Sequence, residues 1–348
     1  MVRLTRRGLL GSAGVASLLA LRPRPARAQT ELIVTVNGGT FEEGWRKAVI
    51  QPFEQANPDI KVSLVQGLTF QNVALMRAQK DAPNVDVIMM DDVAATQAAA
   101  EGLAHPLSIE TVPNLSEIYP EFRVANDIYT KIYWVPEVLA YNTQVVTSAP
   151  LSWAEVWDPK YKGRVAVSNI DTVTGLMFFL LVNAMRGGTV EDADPGFAAM
   201  RELKGSIVAF PTQHAQQSQL FTQGDIVIAP WVSDRTTSMM QAGQPIAWTI
   251  PKEGAVMAEG TLAIAKGTKK LDAALKYVNF AISATAQAAN AKLTNIPPVN
   301  QKAVLDAATL KAIPNGPEAL KITRRPDWKS INQQRAKWID RWNREIVV

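Results

Sequence analysis

The sequence predicts an α/β protein of two lobes with a ligand cleft between them. Three observations carry this. From residue 30 onward, strand-like apolar runs alternate with helix-like amphipathic stretches, the pattern of a parallel sheet joined by crossover helices. The alternation restarts near Leu151 as a second α/β unit. A late strand, Thr261–Ala265, has its natural place beside the first sheet, so the chain crosses between the units more than once.

The elements follow in order. Leu32–Val36 reads as a strand that stops at the turn signal Asn37-Gly38-Gly39. Phe41, Trp45, Val49 and Phe53 recur every four residues and make one face of a helix over 41–55, which Asn57-Pro58-Asp59 breaks. Ile60–Val65 alternates as a second strand, and a helix spans 71–80. Val85–Met90 is a third strand, ending in Asp91-Asp92 before an alanine-rich helix over 93–100. The second unit holds a strand at 164–167, a polar loop at 168–175, a helix at 176–185 and a strand at 226–229 that runs into Pro230-Trp231-Val232-Ser233-Asp234-Arg235. A helix over 271–282 follows the late strand. In open α/β sheets, ligands collect at the carboxyl ends of the strands, which nominates Asn37–Thr40 and Asp91-Asp92.

Length, 348 residues, suits about two domains. With 47% apolar and 20% charged residues the chain can bury a sizeable core, which excludes a disordered chain. The absence of cysteine excludes a disulfide framework, a thiolate metal site and a cysteine nucleophile; with only two histidines, a His-rich zinc site is excluded too. No metal and no cofactor are expected. The net charge of +4 invites a nucleic-acid reading, but six arginines and no acidic residue fall within residues 1–28. That segment has a basic start, an uncharged stretch over 8–21 too short to span a bilayer, and an Ala26-Arg27-Ala28 exit, the marks of a secretory signal peptide. Thr5-Arg6-Arg7-Gly8-Leu9-Leu10 looks like a twin-arginine signal, with an ordinary export signal as the alternative. Without residues 1–28 the chain holds 30 basic and 32 acidic residues, net −2. A periplasmic location is expected.

Several stretches are similar to a known family. Val135-Pro136 through Tyr141-Asn142-Thr143, the run Ser152-Trp153-Ala154-Glu155-Val156-Trp157-Asp158-Pro159-Lys160-Tyr161-Lys162-Gly163-Arg164-Val165, then Gln223-Gly224-Asp225, Pro251-Lys252-Glu253-Gly254 and Asn295-Ile296-Pro297-Pro298-Val299-Asn300 resemble periplasmic substrate-binding proteins of ABC importers, in the spermidine/putrescine-binding branch. The resemblance implies a type II periplasmic-binding-protein fold. One lobe would hold residues 30–136 and 253–296, the other 140–250 and 298–348, with hinges near 137–140 and 251–254. It also implies membrane permease subunits as partners, and the chain is expected to act as a monomer. The polyamine branch carries Trp-x-Asp a few residues after Pro-Lys-Glu-Gly; here Ala258 and Gly260 occupy those places with Glu259 between them.

Candidate ligand contacts each have a plainer alternative. Asp91 and Asp92 could pair a cationic solute, or one could cap the following helix. Gly39 and Thr40 could bring backbone N–H groups to a ligand, or form a turn. Gly39-x4-Gly44 lacks the lysine of a phosphate loop and carries Glu42 and Glu43, which repel phosphate. Trp231 beside Asp234 could hold an ammonium group, and Arg235 could bind an acid or only neutralise Asp234. Thr172 and Thr174 precede an apolar helix and either cap it or help receive an anion. Trp134 and Glu137 flank the first crossover as hinge packing or ligand contacts. Glu259 is favoured by its place in the family pattern. His105 and His214 have no metal-spaced neighbours and read as surface or structural. The last 28 residues hold eight basic and three acidic groups, but Ile331, Trp338, Trp342 and Ile346 recur at helical spacing, which points to a docked terminal helix and not to nucleic acid.

The expected function is capture of a small solute by lobe closure and delivery to a permease. An amine or polyamine-like cation is the first choice of solute; a phosphonate, carboxylate or amino-acid derivative is the alternative. The zinc-protease, nucleophile-elbow and dinucleotide motifs are all absent from residues 29–348. An exported hydrolase using Asp91 and Asp92 fits poorly, because adjacent residues seldom set two carboxylates about 5–9 Å apart across a bond. Ferric ion is disfavoured by the lack of an adjacent tyrosine pair in the second lobe.

Overall fold

The computed structural model describes residues 29–314 and 316–347; the leader proposed for residues 1–28 lies outside them. The chain opens with β1 (Thr30–Val36), α1 (Thr40–Trp45), α2 (Gln51–Ala56), β2 (Ile60–Gln66), α3 (Thr69–Ala78), β3 (Val87–Asp91) and α4 (Asp92–Ala100). The helix expected over 41–55 is not uniform. A π-helical turn, Arg46–Ile50, separates α1 from α2. Pro52 explains it: proline has no N–H to bond the carbonyl four residues back and its ring crowds that carbonyl, so the helix widens one turn earlier.

After the short β4 (Ala104–His105) comes β5 (Thr130–Asn142), thirteen residues that are all buried. The second half adds β6 (Val165–Ala166), α5 (Val173–Met185), α6 (Asp194–Leu203), β7 (Ile207–Ala209), α7 (His214–Gln223), β8 (Ile228–Val232), α8 (Ser233–Gln241) and β9 (Ile246–Thr249). The chain returns through β10 (Ala255–Ala265), α9 (Leu271–Ala281) and α10 (Ala284–Thr294). It closes with α11 (Ala307–Ala312), α12 (Gly316–Lys321), β11 (Thr323–Arg324) and α13 (Trp328–Trp342).

The strands run β2-β1-β3-β10-β5-β8-β6-β7, with β4 and β11 on β10 and β9 on β5. β1, β2 and β3 are parallel, as expected, but β10 is antiparallel to β3 and to β5, so the sheet is mixed. The sheet continues from one lobe into the other through β5. Its first part pairs with β10 as far as Pro136; from Glu137 its partner is β8, joined by β9 from Leu139. Pro136 reads in sequence as a strand breaker because it cannot donate to a ladder. It is tolerated where the strand exchanges one partner for another.

The most specific sequence run, beginning Ser152-Trp153, secures the second crossover. The Glu253 carboxylate accepts from the Ser152 hydroxyl and from the Trp153 backbone N–H, while the Trp153 indole donates to the Gly254 carbonyl at 2.7 Å. This turn feeds directly into β10.

Helix α13 docks as its spacing predicts, with Trp328, Ile331, Trp338 and Trp342 buried and Ile346 buried just beyond it. It touches both lobes. Trp338 and Trp342 pack on Phe179 of α5, with ring centroids 5.4 and 6.3 Å away. Asn332 donates to the Val93 carbonyl of α4 at 2.8 Å. Among the described residues, no helix is long and apolar enough to cross a membrane.

Candidate functional site

The cleft lies where β5 changes partner, and both lobes line it. The first contributes Asn37, Phe41, Asp91, Tyr133 and Val135 among others; the second contributes Thr174, Met177, His214, Asp234 and Arg235. Its volume is about 70 Å³. A broader groove of about 330 Å³ around Thr96, Arg123, Tyr129 and Lys131 belongs to the first lobe alone. Its cations are already paired, Arg123 with Asp127 and Lys131 with Glu259.

Asp91 ends β3 and faces the cleft. The Thr69 hydroxyl donates to it at 2.6 Å. Burial pushes its carboxyl up to about 6, the Thr69 bond opposes that shift, and the negative charges of Asp92 and Asp234 add to it. Asp92, one residue on, begins α4 and turns away: it accepts from the Tyr129 hydroxyl and lies 3.5 Å from the Lys131 ammonium. Of the two acids nominated, the structure places only Asp91 in the cleft lining.

From the other lobe, Asp234 and Arg235 sit in the first turn of α8. Burial raises the Asp234 carboxyl, and Arg235, 3.4 Å away, opposes this. The Arg235 guanidinium also donates across the cleft to the Thr40 hydroxyl, tying the start of α1 to the start of α8. Gly39, at φ +74°, supplies the left-handed turn that aims α1 there but does not itself line the cleft.

Trp231 is fully buried and is not a lining residue, contrary to the sequence reading. The register explains it. Val232 pairs with Glu137 and lines the cleft, so the neighbouring Trp231 alternates to the opposite face of β8. There it stacks on Phe221, with centroids 6.0 Å apart, and its indole N–H donates to His214 Nδ1 at 3.0 Å. His214, read from sequence as surface or structural, is the residue that lines the cleft.

Of the remaining candidates, Thr172, Trp134 and Glu259 have structural partners, whereas Thr174 lines the cleft and Glu137 is buried without one. The Thr172 hydroxyl caps α5 by accepting from the Gly175 N–H at 3.0 Å, and Thr174 in the next turn lines the cleft. Trp134 is buried against Phe122. Glu259 is held by Lys131 at 2.7 Å and Arg325 at 2.9 Å, so it is unavailable to a solute in the cleft. Glu137 is fully buried, neither carboxyl oxygen has a partner, and burial pushes its pKa well above the carboxylate range.

An aromatic side chain from β5 lines the cleft. Tyr133 pairs with Gly260, and a Cβ on Gly260 would fall 2.0 Å from the tyrosine ring. The glycine therefore makes room for Tyr133, which packs edge-on to Phe41 at 5.5 Å and forms the aromatic wall. Among the described residues, no group of three or more His, Cys, Asp or Glu side chains could hold a metal ion.

Comparison with known proteins agrees with this architecture. Residues 48–318 match the family model of bacterial extracellular solute-binding protein. A periplasmic protein of Salmonella typhimurium whose assigned name refers to 2-aminoethylphosphonate binding is 22% identical over 342 residues, 96% of this chain and 98% of that protein. The spermidine/putrescine-binding periplasmic protein of Escherichia coli is 23% identical over 215 residues, 60% of this chain and 61% of that protein. A solved structure described as a GABA receptor superposes with a TM-score of 0.77 at 22% identity, covering 90% of this chain and 97% of that one. The chain therefore belongs to the bacterial extracellular solute-binding proteins, a family of binding proteins and not of enzymes.

Proposed function

We propose that the cleft captures a small zwitterion, an amine joined by a short chain to an acid group, and that lobe closure presents it to permease subunits. The observation that carries this reading is the meeting of two carboxylates, Asp91 and Asp234, with the Arg235 guanidinium in one cleft. An ammonium group fits between the carboxylates, and an acid group fits the guanidinium fork. Phe41, Tyr133 and Met177 offer apolar surface to the methylenes between the two ends.

This reading replaces the polyamine-like cation favoured by the sequence. A second ammonium would meet Arg235 instead of an acid. The names of two similar proteins refer to 2-aminoethylphosphonate and GABA, each an amine joined to an acid.

A thermal-shift panel of ω-amino acids, aminophosphonates, polyamines and simple organic acids tests the reading. Ligand bound to the folded state raises stability by RT ln(1 + [L]/Kd), about 2.7 kcal/mol at a hundredfold excess over Kd. The expected result is a rise in Tm with the zwitterions. A rise confined to polyamines, or to acids without an amine, rejects it.

A further inference from the structure

We infer that His214 presents its Nε2–H to the cleft as a fixed hydrogen-bond donor for the acid end of the solute, and that Trp231, from the layer beneath, sets this tautomer. The inference rests on the zwitterion reading above and assigns the group that works beside Arg235.

An indole N–H can only donate. The 3.0 Å bond from Trp231 therefore needs a lone pair on His214 Nδ1, so in the neutral ring the proton sits on Nε2. With Nδ1 turned to the indole, Nε2 is the nitrogen left to the cleft, and no other hydrogen bond of the His214 side chain is formed among the described residues. The ring is also held neutral. Protonating Nδ1 would break the indole bond, and His214 opens α7, where the aligned backbone N–H groups disfavour a further positive charge. His214 as a residue is exposed, yet loss of water around its imidazole, then the charge of Arg235, lowers its pKa from the ordinary histidine value.

The consequence is selectivity. A neutral donor beside a guanidinium suits a carboxylate or phosphonate oxygen and offers nothing to an ammonium. Trp231 itself touches no solute. It is a positioning residue, fully buried and stacked on Phe221.

The test uses 4-aminobutyrate and 2-aminoethylphosphonate as probes, with butylamine as the amine that lacks an acid. His214→Phe keeps a ring and removes both nitrogens. It is expected to weaken binding of the better zwitterion by about ten- to a hundredfold, the range of a hydrogen bond to a charged group, and to leave butylamine binding unchanged. Trp231→Phe keeps the stack on Phe221 but frees Nδ1, so His214 should titrate closer to its ordinary range and zwitterion affinity should fall several-fold. The ¹⁵N shifts of His214 in the wild-type protein, which distinguish the two tautomers, should report Nε2–H without any ligand present. A proton on Nδ1, or equal zwitterion affinity in wild type and His214→Phe, overturns the inference while leaving the zwitterion reading in place. If wild type binds neither zwitterion, the reading above fails and the inference with it.

Discussion

Asp91 is the residue whose chemistry can be read through pH. Burial holds its carboxyl at about 6 in the unliganded cleft, where its Thr69 hydrogen bond only partly offsets the loss of water. An ammonium solute needs the ionised form, and once bound it draws the proton off. Affinity for an amine-bearing solute should therefore level off above pH 6 and fall below it, by up to about tenfold per pH unit. Calorimetry at pH 5 and pH 7.5 checks this, and titration near pH 6 in buffers of different ionisation enthalpy should show proton release. Asp91→Asn should bind weakly at both pH values; a wild-type affinity unchanged between them would remove Asp91 from the ammonium site. Residues of this kind were partly legible. Asp91, Asp234 and Arg235 stood at strand ends in the sequence, where α/β ligands gather. Trp231 and Val232 could not be told apart there, because one step of strand register exchanges the two faces.

At the scale of the element, β5 joins the lobes and carries an unpaired acid in its middle. Glu137 has no hydrogen-bond partner for either oxygen, and burial pushes its pKa well above the roughly 4.3 of an unfolded glutamate. A carboxyl raised in this way contributes stability that is fully present below pH 4.3 and lost as pH rises through its folded value. Glu137→Met removes the buried polar group at nearly constant volume. It should raise Tm, by the equivalent of about 1–3 kcal/mol near neutral pH and by less at pH 4. Equal gains at both pH values would mean that the carboxyl does not titrate in the folded protein. Neither β5 nor the full length of β10 was visible as a strand in sequence. Pro136 interrupts the first, and Glu259-Gly260 masks the second, since the strand's polar residue finds its partners, Lys131 and Arg325, only in the folded molecule.

For the whole molecule, the relation of the lobes is set at more places than the cleft. Arg335 of α13 stacks its guanidinium 3.3 Å from the centroid of Phe70 in the first lobe and donates to the Asp171 carbonyl in the second at 3.0 Å. A cation–π contact is worth roughly 0.5–2 kcal/mol. Arg335→Met keeps the aliphatic stem and removes this link. It should enlarge the radius of gyration of the unliganded protein in X-ray scattering and weaken solute binding several-fold, with little change in which solutes are chosen. Unchanged scattering and unchanged affinity would restrict α13 to packing within the second lobe.

The sequence by itself determined the α/β class, the parallel order of the first three strands, the docked terminal helix and the family. Each of these is written in hydrophobic period, turn signals or a contiguous run such as Ser152–Val165. Tertiary structure alone decided which side chains meet. It set Arg235 against Thr40, which lie in different lobes, brought Tyr133 over Gly260, and put His214 rather than Trp231 in the cleft. The physical reason is that a cleft depends on strand register and on contacts between residues far apart in the chain. Local propensity carries neither, so the chain announces a two-lobed binding protein, and only the folded sheet shows which charges face its solute.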